Sequence, residues 1–269
     1  MRETRHVRPA AVAGTFYPAS ATTLSHDVDA MLAEARAPDL RPKALIVPHA
    51  GFIYSGPIAA TAYAALKNLR PLPTKVVLLG PTHHVGIHGL ALPGVDAVRT
   101  PLGEIEIDRE LEFTVRKFGF VIDSARAHER EHSLEVQLPF LQRVLPKFTL
   151  LPLAVGHVSP HEVEQVLDAV WGGPETVIVV SSDLSHYLPY DEAQAHDRGT
   201  AARILSFELE GLDGERACGV YPLRGLLLAA EGHGLEAHQL DLRNSGDTAG
   251  DRARVVGYGA FAFCPRSGS

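Results

Sequence analysis

Three segments of this chain, ALIV (Ala44 to Val47), VVLLG (Val76 to Gly80) and VIVVS (Val177 to Ser181), are apolar at nearly every position. A strand with one wet face alternates apolar and polar residues, whereas a continuous apolar run needs cover on both faces. Such runs belong in the middle of a sheet packed between two helical layers. The intervening segments supply those layers. SGPIAATAYAALKNL is Ala-rich, with Pro57 suited to a first helical turn. SPHEVEQVLDAVW begins with a capping-box pattern at Ser159 and Glu162, and Val163, Val166, Leu167 and Val170 share one helical face. HSLEVQLPFLQRVL carries the stripe Leu134, Leu138, Leu141 and Leu145. GEIEID (Gly103 to Asp108) alternates and reads as a more exposed strand. The C-terminal region reads as two strands around an acidic, Gly-rich loop. The expected fold class is α/β, a three-layer α/β/α sandwich on a mainly parallel or mixed central sheet. No repeat or linker divides the chain, so residues 1–269 are read as a single domain.

Composition narrows the functions. The net charge of −7 is spread along the chain without a basic run. A phosphate-neutralising face needs clustered Lys and Arg, so nucleic acid is excluded as a partner. No stretch approaches the roughly 18 apolar residues of a membrane span. The N-terminus, MRETRHVRPA, lacks the apolar centre of a signal peptide, and two cysteines cannot build a disulfide framework. A cytoplasmic, reducing location fits. The outlying count is histidine, with 14 residues.

Each apolar run ends in titratable side chains. His49 follows the first, His83 and His84 follow the second, and Asp183 and His186 follow the third. In open α/β sheets ligands sit beyond the carboxyl ends of the strands, where neighbours are only about 5 Å apart. A histidine at one strand end is readily a cap for a carbonyl. Histidines at three strand ends point to one shared site, because neutral imidazole is both the commonest metal ligand and an acid–base group near pH 7. Cys218, beside Gly219 in a loop or helix start, is placed where a thiolate could be exposed and stabilised by N–H groups or a metal. Cys264 in AFAFC reads as a small buried hydrophobe.

Three motifs are set aside. HEREH (His128 to His132) matches a helix-borne zinc signature, but its interior pair is charged and Ser133 starts a new helix. Glu129 and Arg130 are expected in solvent, while His132 could reach the site. GYGAFA fits a nucleotide pattern without a following helix. NSGDTAGD (Asn244 to Asp251) is by default a tight polar turn, with cation binding through Asp247 and Asp251 as the alternative.

The ordered blocks PHAGFIYSG, LGPTHH, EHSLEVQLPFL, SSDLSHY, CGVYP and NSGDTAGD resemble the Memo family, the mediator of cell motility proteins, over nearly the whole chain. That family is similar in fold to the class III extradiol ring-cleaving dioxygenases, whose ferrous iron is held by two histidines and a carboxylate. The resemblance implies that His49 and His83 are metal ligands and that Cys218 stands where the dioxygenases have their carboxylate. It makes His186 the acid–base histidine, with Asp183 beside it in the same motif. His84 is assigned to support behind the ligands and His132 to the cleft wall. Thiolate in place of carboxylate softens the site, so copper and zinc compete with iron, and ring cleavage does not transfer with the fold. The leading expectation is an iron- or copper-dependent oxidoreductase in which His186, oriented by Asp183, moves protons. The alternatives are a non-catalytic protein that binds a small molecule or peptide in the same cleft, and Cys218 as a nucleophile with His186 as base. Bacterial relatives accompany a radical SAM enzyme, which makes such a protein a candidate partner.

Overall fold

The three apolar runs form neighbouring strands. In the computed structural model, which describes residues 5–266, the strands in chain order are β1 (Val7–Arg8), β2 (Ala44–Val47), β3 (Lys75–Pro81), β4 (Leu90–Leu92), β5 (Ala97–Thr100), β6 (Gly103–Glu106), β7 (Val121–Asp123), β8 (Thr149–Val155), β9 (Thr176–Ser181), β10 (His186–Leu188), β11 (Leu235–Asn244) and β12 (Val255–Pro265). The large sheet runs β10-β12-β2-β9-β3-β8-β4-β7, with β11 on β12. Its centre, β2-β9-β3-β8, is parallel, and β12 and β4 join it antiparallel.

The period-2 geometry of these strands explains the lack of polar alternation. Leu45, Val47, Val76, Leu78, Val177 and Val179 face one core, shared with the helices Ala21–Glu34, Phe52–Leu66 and Leu138–Val144. Ala44, Ile46, Val77, Leu79, Ile178 and Val180 face the other, shared with Pro160–Ala169, Tyr190–Leu205 and Val220–Gly232. Every one of these strand side chains is buried. Each of the Val, Leu and Ile side chains contributes about 1.5–3 kcal/mol relative to exposure, so slipping a strand by one residue would be resisted on both faces. The result is a mixed α/β sandwich with helices on either side of the sheet.

Local expectations fare unevenly. The Ser159–Glu162 capping box forms, and Val163, Val166, Leu167 and Val170 are buried. The Leu134–Leu145 stripe is buried along a short 3-10 turn, Glu135–Gln137, and the helix that follows it. The helix expected to start near Pro57 begins at Phe52, so Pro57 lies inside it. Its missing N–H would have served the carbonyl of Ile53, a residue on the exposed side of the helix. The Gly103 strand leaves the main sheet and pairs with β5, which pairs with β1. GYGAFA lies within β12. Among the described residues no helix is long and apolar enough to cross a membrane.

Candidate metal centre

The order β2-β9-β3 sets three carboxyl ends side by side. His49, Asp183 and His83 each follow the last residue of one of these strands by two positions. The ring nitrogens of His49 and His83 meet those of a third residue, His132, all within 4.8 Å of one another. The His49 and His83 ring centroids are 5.2 Å apart, and His132 lies 5.5 Å from the first and 4.7 Å from the second. His132 comes from the segment that follows the short helix Ala125–Glu129.

The hydrogen bonds behind these rings fix their tautomers. Gln137 donates to the Pro48 carbonyl and to Ser181 Oγ while its own oxygen accepts from Tyr63. Ser181 Oγ donates its single proton to the Ser133 carbonyl at 2.6 Å. It can therefore only accept at His49 Nδ1, 2.8 Å away, so Nδ1 carries the proton and Nε2 keeps its lone pair. Glu131 does the same for His83. Its carboxylate accepts from His83 Nδ1 at 2.9 Å and from the peptide N–H groups of His83, His132 and Ser133 at 2.6, 2.9 and 3.0 Å. Outer partners of this kind orient metal-binding imidazoles and fix their tautomers.

Burial keeps two of the cluster's imidazoles, His49 and His132, in the neutral form. Burial holds His49 well below the usual imidazole range, and the neighbouring His83 and His132 reinforce this. Burial likewise brings His132 down to about 4, against the pull of Glu131. His186 is lowered by burial too, so it is unprotonated near pH 7. Burial raises Glu131, but the bonds from His83 and Ser133 more than offset it and hold the carboxylate far below its ordinary value. Burial pushes Asp183 up to about 7, opposed by the N–H groups of His49 and Ala50.

Cys218 Sγ lies 3.3 Å from His49 Nε2 and accepts from the Asp183 N–H at 3.3 Å. It sits just before the helix Val220–Gly232. The thiol is half-buried rather than exposed, and burial, aided by the Asp183 charge, pushes it up to about 12. Asp183 differs from expectation in its target. Its carboxylate accepts the His49 N–H at 2.7 Å and so fixes the turn after β2. No hydrogen bond from it to the His186 ring is found among the described residues. His186 starts β10, packs edge-on against Tyr187 and lines the cleft. His84 is exposed, with its ring 6.2 Å from that of His132. Cys264 is buried in β12.

Glu131 and Ser181 are residues that sequence reasoning missed. Glu129 and Arg130 are exposed, but Glu131 is 1% exposed. His128 is also buried and points away from the cluster, its Nε2 on the Ala91 carbonyl at 2.8 Å. HEREH therefore sends its two histidines to different places. In the NSGDTAGD loop, Asp247 is used as a cap, taking the Asn244 N–H at 3.0 Å and the Tyr190 hydroxyl. That favours the polar turn. Asp251 lines the cleft.

Above the cluster opens a cleft of about 770 Å³, walled by Phe16, Tyr54, His186, Tyr187, Arg254 and Tyr258 among others. Tyr187 has the left-handed φ of 60°, a conformation that non-glycine residues adopt at a cost. The α/β sandwich gathers three imidazoles at the carboxyl edge of its parallel strands, each able to offer one nitrogen, and so presents a group that could hold a metal ion in an open cleft. The chain belongs to the Memo family: the model of Memo-like proteins matches residues 8–262. It is similar to the MEMO1 family protein of Aquifex aeolicus, 38% identical over 96% of this chain and 99% of the relative. Those of Methanopyrus kandleri and Sulfolobus acidocaldarius are 36% and 33% identical, over 95% and 96% of this chain and 98% and 99% of the relatives.

Proposed function

We propose that the chain binds one redox-active metal ion, iron foremost and copper next, through His49, His83 and Cys218, and acts as an oxidoreductase with a dioxygenase-like cleft. Zinc is a competitor for the same donors. The observation that carries this reading is the pair of imidazoles whose Nδ1–H groups are engaged from behind, with a sulfur 3.3 Å from the free Nε2 of His49. The two imidazole lone pairs fit a metal, and Cys218 would join them by giving up a proton that burial otherwise retains up to about 12, since metal binding releases the thiol proton. When bound, such an ion supplies Lewis acidity and electron transfer. The chain's own residues supply the rest. His186, unprotonated near pH 7, accepts or returns a proton at the cleft wall. Asp183 holds the backbone at His49 and Ala50. Phe16, Tyr54 and Tyr187 shape the space for a substrate.

A second reading replaces Cys218 by His132, favoured by the mutual 4.8 Å limit within which the three imidazole nitrogens lie. The alternative function, a cleft that binds a small molecule or peptide without turnover, is compatible with either ligand set. Metal analysis of the purified wild type and of His49→Ala, His83→Ala, Cys218→Ser and His132→Ala separates them. Loss in the first three variants with retention in His132→Ala supports the sulfur ligand; retention in Cys218→Ser with loss in His132→Ala supports three imidazoles. Equal metal in wild type and His49→Ala refutes the site. A radical SAM protein of the same pathway is the proposed partner, to be checked by co-purification.

A further inference from the structure

Behind the histidines, the N-terminal arm is fastened to the segment that carries Glu131 and His132. Arg8 is 9% exposed and uses all three nitrogens of its guanidinium for this purpose. Its Nε donates to the His128 carbonyl at 2.7 Å, one Nη to the Glu131 carbonyl at 2.8 Å, and the other to Glu135 at 2.7 Å. The Glu135 carboxylate also accepts from the Ala11 and Val12 N–H groups at 2.8 and 2.9 Å and from the Tyr17 hydroxyl at 2.6 Å. The chain between these anchors carries Phe16. Its ring lies 4.6 Å from the His132 ring and lines the cleft, and its carbonyl accepts the Phe52 N–H at 2.8 Å, just past His49.

We infer that Arg8 and Glu135 are positioning residues: they latch the N-terminal arm so that Phe16 braces His132 and the arm ties the His49 turn to the Glu131–Ser133 turn. Neither residue has an assigned role at the centre, and neither touches the cleft. The geometry explains why two oppositely charged side chains are buried so close to an imidazole cluster. Buried charges are tolerated when every donor and lone pair is used, and here the latch uses them to fix backbone rather than to bind ligand. All three imidazoles fall under its influence, because Glu131, whose carbonyl Arg8 holds, in turn orients His83.

The effect on metal rests on the proposed metal centre, so the test reads the arm and the centre separately. The chain has one tryptophan, Trp171. In a Trp171→Phe background, Phe16→Trp places a single emitter on the arm. Acrylamide quenching of metal-free protein reports how tightly that arm is held, and a Co²⁺ titration reports the centre through its visible absorption and its quenching of Trp emission. Adding Glu135→Gln should raise acrylamide quenching, lower Co²⁺ affinity about tenfold, as for loss of outer-shell support, and reduce quenching at saturating Co²⁺. Arg8→Met should reproduce these changes, while Ser20→Ala, which loses only a cap outside the latch, should not. Unchanged acrylamide quenching in both latch variants overturns the inference. So does greater quenching with unaltered Co²⁺ affinity and spectrum, since the latch would then serve the fold alone. If the parent binds no Co²⁺, the metal reading fails, and the acrylamide arm still decides whether Arg8 and Glu135 hold Phe16.

Discussion

Replacing Glu131 by Gln changes one atom of a buried side chain, and the structure dictates what that costs. One carboxylate oxygen accepts His83 Nδ1, the His132 N–H and the Ser133 N–H; the other accepts the His83 N–H at 2.6 Å. An amide has a single acceptor oxygen. In its better orientation it serves the first three donors and turns its NH₂ against the His83 N–H, donor facing donor. A buried N–H left without an acceptor costs about 1–3 kcal/mol, and the His83 N–H is part-buried, so metal-free Glu131→Gln should lose about 1 kcal/mol of stability in a denaturant titration. Metal affinity should fall about 10- to 100-fold, which is roughly 1.4–2.7 kcal/mol, because the acceptor behind His83 Nδ1–H becomes a neutral amide oxygen in place of a carboxylate. The acid limb carries a further sign. The folded carboxyl is held below its ordinary value of 4.5, so its stabilisation is complete above that pH and drains away as pH falls below it. Glu131→Gln should lack that part of the acid loss. Urea unfolding of the metal-free forms at pH 7 and pH 3.5, with a metal titration at pH 7, measures all three quantities. An unchanged midpoint together with affinity within twofold of wild type would refute the idea that this carboxylate orients the cluster.

The sheet and the strand-end histidines were legible because their signals are periodic or local. A run such as Val76–Leu79 has only one comfortable environment, and a residue two positions beyond a parallel strand has little choice of edge. Capping at Ser159 is written in four consecutive residues. Glu131 and Ser181 were not legible, since their roles depend on partners far away in the chain: Glu131 meets His83 and Ser181 meets His49. Glu131 also sits in a charged run, and nothing in Glu129-Arg130-Glu131 distinguishes the one carboxylate that turns inward. His132 was expected at the cleft wall and lines the cleft, but nothing in its local sequence says that its ring also meets those of His49 and His83. The Asp183–His186 relation was drawn from nearness in sequence, whereas the strand turn between them sends Asp183 back toward β2 and His186 onto β10. The helix boundary at Phe52 was hidden because Gly51 caps it without a side-chain signal.

Three further tests probe the site from other directions. Ser181→Ala removes the acceptor for His49 Nδ1–H and should weaken metal binding about 10- to 100-fold while leaving His83 untouched, as followed by competitive titration. His128 is brought down to about 4 by burial, so its neutral form stabilises the fold fully above its ordinary 6.5 and progressively less as pH falls toward 4. His128→Gln, whose amide can still donate to the Ala91 carbonyl, should keep stability on the order of 3 kcal/mol that wild type loses across that window; parallel unfolding curves at pH 7 and 4 would contradict the assignment. The last test concerns the sulfur. With its thiol at about 12, metal-free Cys218 should alkylate at pH 8 on the order of a thousandfold more slowly than an ordinary cysteine, because only thiolate reacts. Gly219 holds it there. A Cβ at that position would stand 2.7 Å from the Ser181 carbonyl oxygen and 2.7 Å from Ser182 Cβ, so Gly219→Ala must shift the backbone that carries Cys218 away from β9. The variant should therefore alkylate faster at Cys218, with Cys264, buried in β12, as the unchanged control. Mass mapping after timed iodoacetamide treatment reads both sites. Equal Cys218 rates in the two proteins would mean that Gly219 does not seat the sulfur beside His49.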